Sequence, residues 1–345
     1  MKSTVKMSDI ARELAVSTVT VSKALSGKDG VSGELRKAIT RKAEELGYVY
    51  NSLPRNMREG RHYIIGILIS SKFVGESSYY WIFYQKLLGV IKQTHYLGVL
   101  EIISDEDEMK CTVPSMLNAK KIDGIIILGQ MRDSYITMIT SKISQCVFLD
   151  FYSEIGSCDC VASNNFLGSY NLTKLLITAG HKKIGFIGST AATTSILDRY
   201  LGFCKAMMEA GLPCEAAIED RDSKGIYIEI MLCPDNYTAY VCNNDQIAGI
   251  VINQLKKSGL EVPKDISLVS FDNESEVVTA GIGVTSLEFN ISSMSELAVN
   301  LLIQHIEFSD YISKGRSFID GRLVIKQSIA APVQPSEVKY AVLLS

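Results

Sequence analysis

Short, continuous apolar runs alternate with helical segments through most of this 345-residue chain. The first run lies at 64–69, and six similar runs follow at 99–103, 125–128, 147–149, 184–187, 239–242 and 266–269. Segments with the apolar spacing of helices lie among them, at 81–94, 168–179, 199–210, 246–258 and 292–307. Strands that are apolar along their whole length are typical of parallel sheets covered by helices on both faces.

A coarse internal repeat indicates that the body of the chain forms two α/β lobes. D-G-I-I-I-L-G at 123–129 resembles K-I-G-F-I-G at 183–188, and each is followed by a polar stretch. Neither segment has the glycine spacing of a nucleotide-binding loop. Ligands of parallel sheets bind at the carboxyl ends of the strands, so we expect a ligand cleft between the two lobes.

Residues 9–27 have a different pattern, that of two short helices joined by a tight turn. Ile10, Leu14 and Val21 have the spacing of an inner helical face, and the Ser17 hydroxyl can cap the second helix. The outer face of that helix is small and polar with one lysine, which suits a DNA major groove. A third helix is predicted at 33–46, with Ser32 as its cap. An ordinary helical hairpin in a protein core is the alternative interpretation.

Charge separates this head from the rest of the chain. Residues 1–61 contain 12 lysines and arginines and 7 aspartates and glutamates, a net charge of +5. The whole chain carries −3, so the remainder carries −8. A basic head on an acidic body is expected when only the head contacts nucleic-acid phosphates.

The sequence predicts a cytoplasmic protein without a membrane segment. No apolar run approaches the ~18 residues of a membrane-spanning helix, and the first residues lack the apolar region of a signal peptide. The eight cysteines are therefore expected to be reduced. Cys158 and Cys160 are the only closely spaced pair, and without a second Cys/His pair at zinc-ligand spacing we assign them no metal role.

Three motifs in the head resemble the LacI/GalR family of bacterial transcription regulators. They are V-S-T-V-T-V-S-K at 16–23, V-S at 31–32 and L-G-Y-V-Y-N at 46–51. The resemblance implies a helix-turn-helix domain whose second helix reads DNA. It implies DNA-binding roles for Ser17, Thr18, Val19, Thr20, Ser22 and Lys23. Lys23 stands where the family usually has arginine, and Ala15 stands where it often has glycine in the turn.

Residues 51–61 form a basic segment that the resemblance identifies as the hinge. In the family this segment folds into a short helix on the operator, and an apolar side chain enters the minor groove. Asn51 and Met57 are the candidate DNA contacts here, and methionine can act as such a wedge. Pro54 departs from the family pattern, because proline is tolerated only in the first turn of a helix. A plain flexible linker is the alternative.

The resemblance continues through the body to about residue 330. Its landmarks include V-A-S-N-N at 161–165, R-Y-L-G-F at 199–203, N-N-D-Q-I-A at 243–248 and S-L-V-S-F-D-N at 267–273. They resemble the regulatory core that is similar to periplasmic sugar-binding proteins. The candidate ligand contacts are polar residues at strand ends and at one helix start, namely Asp150, Arg199, Asn244 and Asp272.

Some of these positions have a structural alternative. Asp150 can equally be a helix cap or turn residue, and Asp245 is expected to cap the helix that follows it. Tyr80 and Trp81 lie in the aromatic segment 75–84 and are further ligand candidates, because aromatic rings pack on sugar faces. Packing in the core or at an interface is the alternative for such aromatic residues.

We therefore predict an N-terminal three-helix helix-turn-helix head plus an α/β two-lobed periplasmic-binding-protein-like core with parallel sheets. The head takes residues 1–50 and the hinge 51–61. The core takes 62–335, with lobe 1 from about 62–162 and 289–322 and lobe 2 from about 163–288 and 323–335, and residues 336–345 form a tail. Ile91, Leu97 and the segment near Met116 are candidates for a dimer face.

The predicted function is that of a sequence-specific DNA-binding transcriptional regulator, a repressor under allosteric control. A homodimer would bind pseudo-palindromic operator DNA, and a small-molecule effector, a sugar, would bind between the lobes. No catalytic residue, metal site or cofactor is predicted, because no nucleophile elbow, acid–base pair or metal-ligand set is evident. The alternatives are a sugar-binding receptor of a transport or sensing system and an α/β enzyme with an accessory head.

Overall fold

The computed structural model describes residues 5–25, 29–46, 48, 61–74, 78–155, 158–222, 225–274 and 279–332. The chain divides into two compact units, Met1–His62 and Tyr63–Ser345. Each unit has its own apolar core, and each is described by itself below.

The first unit contains three helices, α1 (Met7–Glu13), α2 (Thr18–Leu25) and α3 (Gly33–Glu45). Ile10, Val21 and Ile39 contribute one fully buried side chain from each helix to the shared core. The Ser32 hydroxyl accepts a hydrogen bond from the Leu35 amide at 3.4 Å, so it caps α3 as the sequence predicts. The apolar spacing thus determines which face of each helix is buried.

The turn between α1 and α2 requires a left-handed residue. Ala15 has a φ of 51°, and the Val16 amide donates to the Ala11 carbonyl at 3.0 Å, which closes the end of α1. Glycine is the usual residue at this position of a helix end, because it has no Cβ to clash in the left-handed conformation. The departure from the family pattern at Ala15 therefore leaves a local backbone strain.

We expect the Ala15→Gly substitution to stabilise the head by about 1 kcal/mol, since it relieves this strain. Amide hydrogen exchange of α1 and α2 in the full-length protein measures the change as slower local opening. The matched control is Ala38→Gly, at an exposed position inside α3, which should lower stability by about 1 kcal/mol. Faster exchange in the Ala15→Gly variant would contradict the prediction.

The second unit begins with a six-stranded sheet in the order β10-β5-β4-β3-β1-β2. All its paired strands are parallel. The strands are β1 (Ile64–Ser70), β2 (Leu97–Ile103), β3 (Gly124–Leu128), β4 (Cys146–Leu149), β5 (Asp159–Ser163) and β10 (Arg316–Ile319). The helices around it are α4 (Ser78–Ile91), α5 (Asp105–Lys110), α6 (Ser115–Asn118), α7 (Asp133–Thr140) and α11 (Ile291–Glu307). Two apolar clusters, one on each face, show that this first lobe is covered on both sides.

A second sheet has five strands in the order β11-β9-β8-β7-β6. They are β6 (Ile184–Ile187), β7 (Ala239–Cys242), β8 (Ser267–Phe271), β9 (Thr285–Glu288) and β11 (Arg322–Val324). Only β11 is antiparallel to its neighbour among the paired strands that the structure describes. This second lobe is completed by α8 (Asn165–Thr178), α9 (Thr194–Glu209) and α10 (Asp245–Lys257).

This architecture confirms the predicted fold class of a helix-turn-helix head and a two-lobed α/β core. Direct hydrogen bonds also join the two lobes of the core. The Tyr152 hydroxyl donates to an Asp198 carboxylate oxygen at 2.9 Å, and the Thr194 amide donates to the Gln130 side chain at 2.8 Å. Within the described ranges, no helix has the length and apolar character needed to cross a membrane.

One disulfide contradicts the expectation that every cysteine is reduced. Cys204 in α9 is bonded to Cys214, and their Cα atoms lie 5.5 Å apart. The chain turns back at the end of α9 and returns along the helix, so two cysteines ten residues apart in sequence become neighbours. Because that return depends on tertiary packing, the spacing of the two cysteines in the sequence does not predict the disulfide.

Candidate functional site

The exposed face of α2 is the candidate DNA-reading surface in the first unit. The Ser17 hydroxyl accepts from the Thr20 amide at 3.0 Å, so it caps the helix. Val21 and Ala24 are buried in the core, and this fixes the rotation of α2. Thr18 and Lys23 are therefore exposed on the outer face.

The same helix face also carries one apolar side chain, that of Val19, which is 62% exposed. Thr20 and Ser22 lie at the margin of this face and are half-buried. Arg36 of α3 donates to the Ala24 carbonyl at 2.9 Å and thereby holds the end of α2 with a cation, which the helix dipole favours. Asn51 and Met57 lie outside the described residues.

In the second unit, two carboxyl groups follow strands of different lobes. Asp150 comes directly after β4, and Asp272 comes directly after β8. Both have left-handed backbone conformations, with φ of 68° and 92° respectively. Such strain in non-glycine residues is concentrated at functional sites. Asp150 and Asp272 both experience the charge of Arg199, so the two carboxyl groups and this guanidinium lie in one region of the core.

Arg199 in α9 is buried and rigidly held. Its Nε donates to the Asn165 side chain at 2.8 Å, and its Nη1 donates to the backbone carbonyl of Asn243 at 2.5 Å and to its side-chain oxygen at 3.2 Å. The guanidinium carbon lies 4.4 Å from the ring centre of Phe271 and 5.2 Å from that of Phe289. Among the described residues, no acceptor is hydrogen-bonded to Nη2, so this nitrogen can donate to a ligand.

The Asp150 carboxylate is oriented by two phenols. It accepts hydrogen bonds from the Tyr79 hydroxyl at 3.3 Å and the Tyr80 hydroxyl at 3.0 Å. Burial raises the pKa of Asp150 to about 6, while the charge of Arg199 and the two phenols favour the ionised form. The two phenols therefore hold this carboxylate in place, and its left-handed backbone is also compatible with a turn residue.

Asp272 has a different environment. Within the described part of the chain, its carboxyl group makes no hydrogen bond to protein. Burial raises its pKa to about 8, against the attraction of Arg199, and the carboxylates of Asp245 and Glu274 raise it further. The side chain is half-buried, so its oxygens remain open to a ligand and can accept hydrogen bonds from it.

Asn244 has a structural role in addition to its candidate ligand role. Its side-chain oxygen accepts from the Ile247 amide at 2.9 Å and caps α10, while its amide group donates to the Tyr227 hydroxyl at 3.1 Å. The expectation that Asp245 is the cap is therefore wrong. Asp245 is the first residue of the helix and instead accepts from the Glu274 amide at 2.7 Å.

Comparison with known proteins identifies the family of this chain. The family model described as bacterial regulatory proteins, lacI family, matches residues 6–51, and that of a periplasmic binding protein-like domain matches 173–329. The HTH-type transcriptional regulator RegA of Clostridium saccharobutylicum is 30% identical over 319 residues, which cover 86% of this chain and 91% of RegA. The chain belongs to the LacI family.

Solved structures of LacI-family proteins share the fold. The lac repressor dimer bound to operator and the anti-inducer ONPF has a TM-score of 0.74 at 20% identity, and the match covers 95% of this chain and 100% of that chain. The complex of the transcriptional regulator CelR with cellobiose has a TM-score of 0.67 at 19% identity, covering 94% and 99%. The matched relatives are regulators, which agrees with the prediction that this LacI-family chain is not an enzyme.

Of the two aromatic ligand candidates, Tyr80 and Trp81, only Tyr80 lies beside the site in the folded LacI-family core. Tyr80 joins the Asp150 cluster, whereas Trp81 is 54% exposed and contacts the ring of Tyr84, with 5.4 Å between centroids. The structure therefore does not bring Trp81 to the carboxyl cluster. One residue along α4 turns the side chain by about 100°, and this rotation accounts for the difference.

The residues predicted to form a dimer face also differ in their exposure. Leu97 begins the edge strand β2 and is 68% exposed. The side chains of Ile91 and Met116 are buried in the core of the first lobe, so neither is available to a dimer face, whereas Ser115 and Asn118 beside Met116 are exposed. Val99 and Ile102 are the exposed apolar neighbours of Leu97 on the same strand.

Sequence reasoning missed several residues that complete the site. Asn165 and Asn243 hold Arg199, Phe289 packs against it, and Tyr79 holds Asp150. In each of these contacts, the two partner residues come from segments that are far apart in the sequence. The available signal was the family landmark at 161–165 and 243–248, which marks the asparagines without stating what they contact.

Proposed function

We propose that this LacI-family regulator is a repressor that binds a pseudo-palindromic operator as a homodimer and releases or tightens it when a sugar binds in the cleft. The observation that carries the sugar assignment is the grouping of one rigid guanidinium and two carboxyl groups. Arg199 offers a free donor edge, and Asp150 and Asp272 offer acceptors for hydroxyl groups. Phe271 and Phe289 add apolar surface beside them. The matched CelR structure contains cellobiose, which supports the same ligand class here.

The operator is read by the exposed face of α2 in this proposal. Thr18, Val19 and Lys23 contact base edges, and Ser17, Thr20 and Ser22 lie near phosphates. A lysine at position 23 acts as a point charge and lacks the bidentate fork of arginine. We therefore expect the base preference of this head to differ from that of relatives with arginine there. Asn51 and Met57 contribute contacts from the hinge, with Met57 as the minor-groove wedge.

A second copy of the chain provides the second head. The apolar side chains exposed on edge strand β2, those of Leu97, Val99 and Ile102, are the proposed dimer surface in the first lobe. Two-fold symmetry then matches the symmetry of a pseudo-palindromic site. Since the operator is in the cytoplasm of a bacterium, the proposal includes a cytoplasmic location.

The effector acts by binding two arrangements of the lobes unequally. The bonds from Tyr152 to Asp198 and from Thr194 to Gln130 join the lobes directly, and a ligand between Asp150 and Asp272 adds to or competes with them. A ligand shifts the equilibrium only by its differential affinity for the two states, and the coupling to operator binding is reciprocal.

The deciding experiment selects bound sequences from a palindromic DNA library with full-length protein, with and without a panel of sugars. We expect specific binding that weakens steeply with salt, because phosphate contacts release counterions. We also expect one sugar class to change operator affinity about 10-fold or more. The Lys23→Gln variant should bind the operator more weakly. Lys264→Gln, which changes an exposed lysine on the surface of the two-lobed part of the chain, should bind the operator normally.

The outcomes separate the parts of the proposal. Absence of specific DNA binding at moderate salt in every ligand state would contradict operator recognition and favour a sugar-binding receptor. Specific operator binding that responds only to non-sugar metabolites would contradict the ligand class alone. A thermal-shift screen of the same panel reports binding independently, because a ligand of the native state raises the melting temperature.

A further inference from the structure

Two cysteines face each other on neighbouring strands of the first lobe. Strands β4 and β5 are parallel, with Val147 opposite Asp159 and Phe148 opposite Cys160. Continuing this register by one residue places Cys146 opposite Cys158. Both side chains belong to the same apolar cluster, and neither cysteine is in a disulfide, so the two thiols are neighbours on one face of the sheet.

The two thiols have unequal environments. Cys146 is fully buried in the apolar cluster between β4, β5 and α7, and burial raises the pKa of its thiol. Cys158 is half-buried, at the edge of the same cluster. The interaction with the neighbouring Cys146 thiol lowers the pKa of the Cys158 thiol. An accessible thiol of lowered pKa beside a second thiol is the arrangement of redox-sensing cysteines.

The nearby Cys160 is a less suitable partner. It is buried and points its thiol toward the Cys158 carbonyl, at 3.7 Å, and burial raises its pKa. Among the described residues, no group of three or more His, Cys, Asp or Glu side chains could hold a metal ion. The pair also lies at the amino end of β4, opposite to the end that carries Asp150, so the proposed effector site does not use it.

We propose that Cys158 and Cys146 form a peroxide-oxidisable pair, with Cys158 as the attacking thiol and Cys146 as the resolving thiol. The Cys158 thiolate attacks one oxygen of a hydroperoxide and the O–O bond breaks. With hydrogen peroxide, this step gives a sulfenic acid and a hydroxide, which takes up a proton to become water. The Cys146 sulfur then attacks the Cys158 sulfur, the S–O bond breaks, and the departing hydroxide leaves as water with the Cys146 proton.

The balance of this reaction is complete. Two thiols lose two electrons in forming one disulfide, and the two oxygens of one hydrogen peroxide molecule become two waters. A cytosolic thiol then reverses the modification by disulfide exchange. A transient disulfide of this kind is compatible with a reducing compartment.

The test treats folded, full-length protein with hydrogen peroxide after mild reduction and removal of the reductant. Remaining thiols are alkylated in denaturant, and the chain is cleaved at glutamate and with trypsin. Cleavage at Glu154 separates Cys146 from Cys158, and cleavage at Lys142 and Lys174 separates both from Cys111 and Cys204. We expect a linked peptide pair containing Cys146 and Cys158, which dithiothreitol separates. Peptides that carry Cys204 and Cys214 are followed separately in the same digest, and the exposed Cys233 is the internal reference for unselective oxidation.

Variants identify the two roles. Cys158→Ser should eliminate the linkage, while the matched Cys160→Ser variant should retain it. In Cys146→Ala, the sulfenic acid on Cys158 should persist and be trapped by dimedone. Linkage of Cys158 to Cys160, linkage that survives in Cys158→Ser, or oxidation of Cys233 before Cys158 would overturn the proposal. The linked peptide and the two variants at 158 and 160 decide the question even where Cys146→Ala does not fold.

Discussion

The Arg199→Ala variant is expected to lose its response to effector while its ligand-free operator affinity stays within about 2-fold of the parent protein. Effector affinity should fall about 10-fold or more, because a hydrogen bond from a charged donor to a sugar hydroxyl contributes about 1.5–3 kcal/mol. Operator affinity should persist because the head is a separate compact unit with its own core.

The contacts of Arg199 explain the size of this effect. Its guanidinium is fixed by Asn165 and Asn243 and lies beside the rings of Phe271 and Phe289. The group therefore reaches a ligand without losing side-chain freedom on binding. Its charge also lowers the pKa values of Asp150 and Asp272, so its removal would leave both carboxyl groups less able to ionise.

Operator titrations with and without effector measure both quantities for the variant. The matched control is Lys205→Ala, which removes an exposed cation from the same helix, where it pairs with Glu209. This control should respond normally to effector. Equal loss of operator and effector binding in Arg199→Ala, together with a lowered melting temperature, would show that Arg199 serves stability instead of ligand binding.

The strands of the two sheets could be predicted from sequence wherever they are buried on both faces. The run at 239–242 coincides with β7, and the run at 64–69 falls one residue short of β1. Both strands are almost entirely buried, so nearly every side chain must be apolar and the pattern is unambiguous. Helix α10 was predicted to within one residue at each end, because one apolar face has the helical period. Helix α9 begins at Thr194, five residues before its predicted start.

Other strands could not be predicted for the same physical reason. β10 and β11 are short and half-exposed, with arginine at the start of each. β5 is buried but contains Asp159 and Ser163. Asp159 is kept in the interior by the Tyr311 hydroxyl and the Gly315 amide, partners that lie about 150 residues away in the sequence. No local pattern indicates such long-range partners.

The candidate site also contains residues that local sequence could predict and residues that it could not. Asp150, Arg199 and Asp272 are proposed as ligand contacts from positions at strand ends and at an expected helix start. The strand ends are as predicted, but α9 begins at Thr194, so Arg199 lies in its second turn. The partners of Arg199 were not predicted, because an asparagine after a strand is equally typical of a helix cap. Asn244 does cap α10, whereas Asn243 holds Arg199, although the two are adjacent. Only the packed structure distinguishes their roles.

The Asp272→Asn variant is expected to be more stable than the parent protein at pH 8 and about equally stable at pH 4. The pKa of Asp272 is raised from 3.8 to about 8 in the folded chain, chiefly by burial. The folded state therefore holds this proton more tightly than the unfolded state does. The stability that comes from the protonated form is complete below about pH 4 and is lost as the pH rises to about 8.

The uncharged amide of asparagine avoids this loss. Each pKa unit corresponds to about 1.4 kcal/mol. Because the side chain is only half-buried and solvent screens part of the effect, we expect a stability difference of about 2 kcal/mol at pH 8. Chemical denaturation of the two proteins at several pH values measures it. Asp310→Asn changes an exposed carboxylate and should leave the pH dependence unaltered. A difference between parent and Asp272→Asn that stays constant from pH 4 to pH 8 would contradict a raised pKa of this carboxyl group. A gain in stability together with lost effector binding would show that Asp272 is retained at the expense of stability in order to bind a ligand.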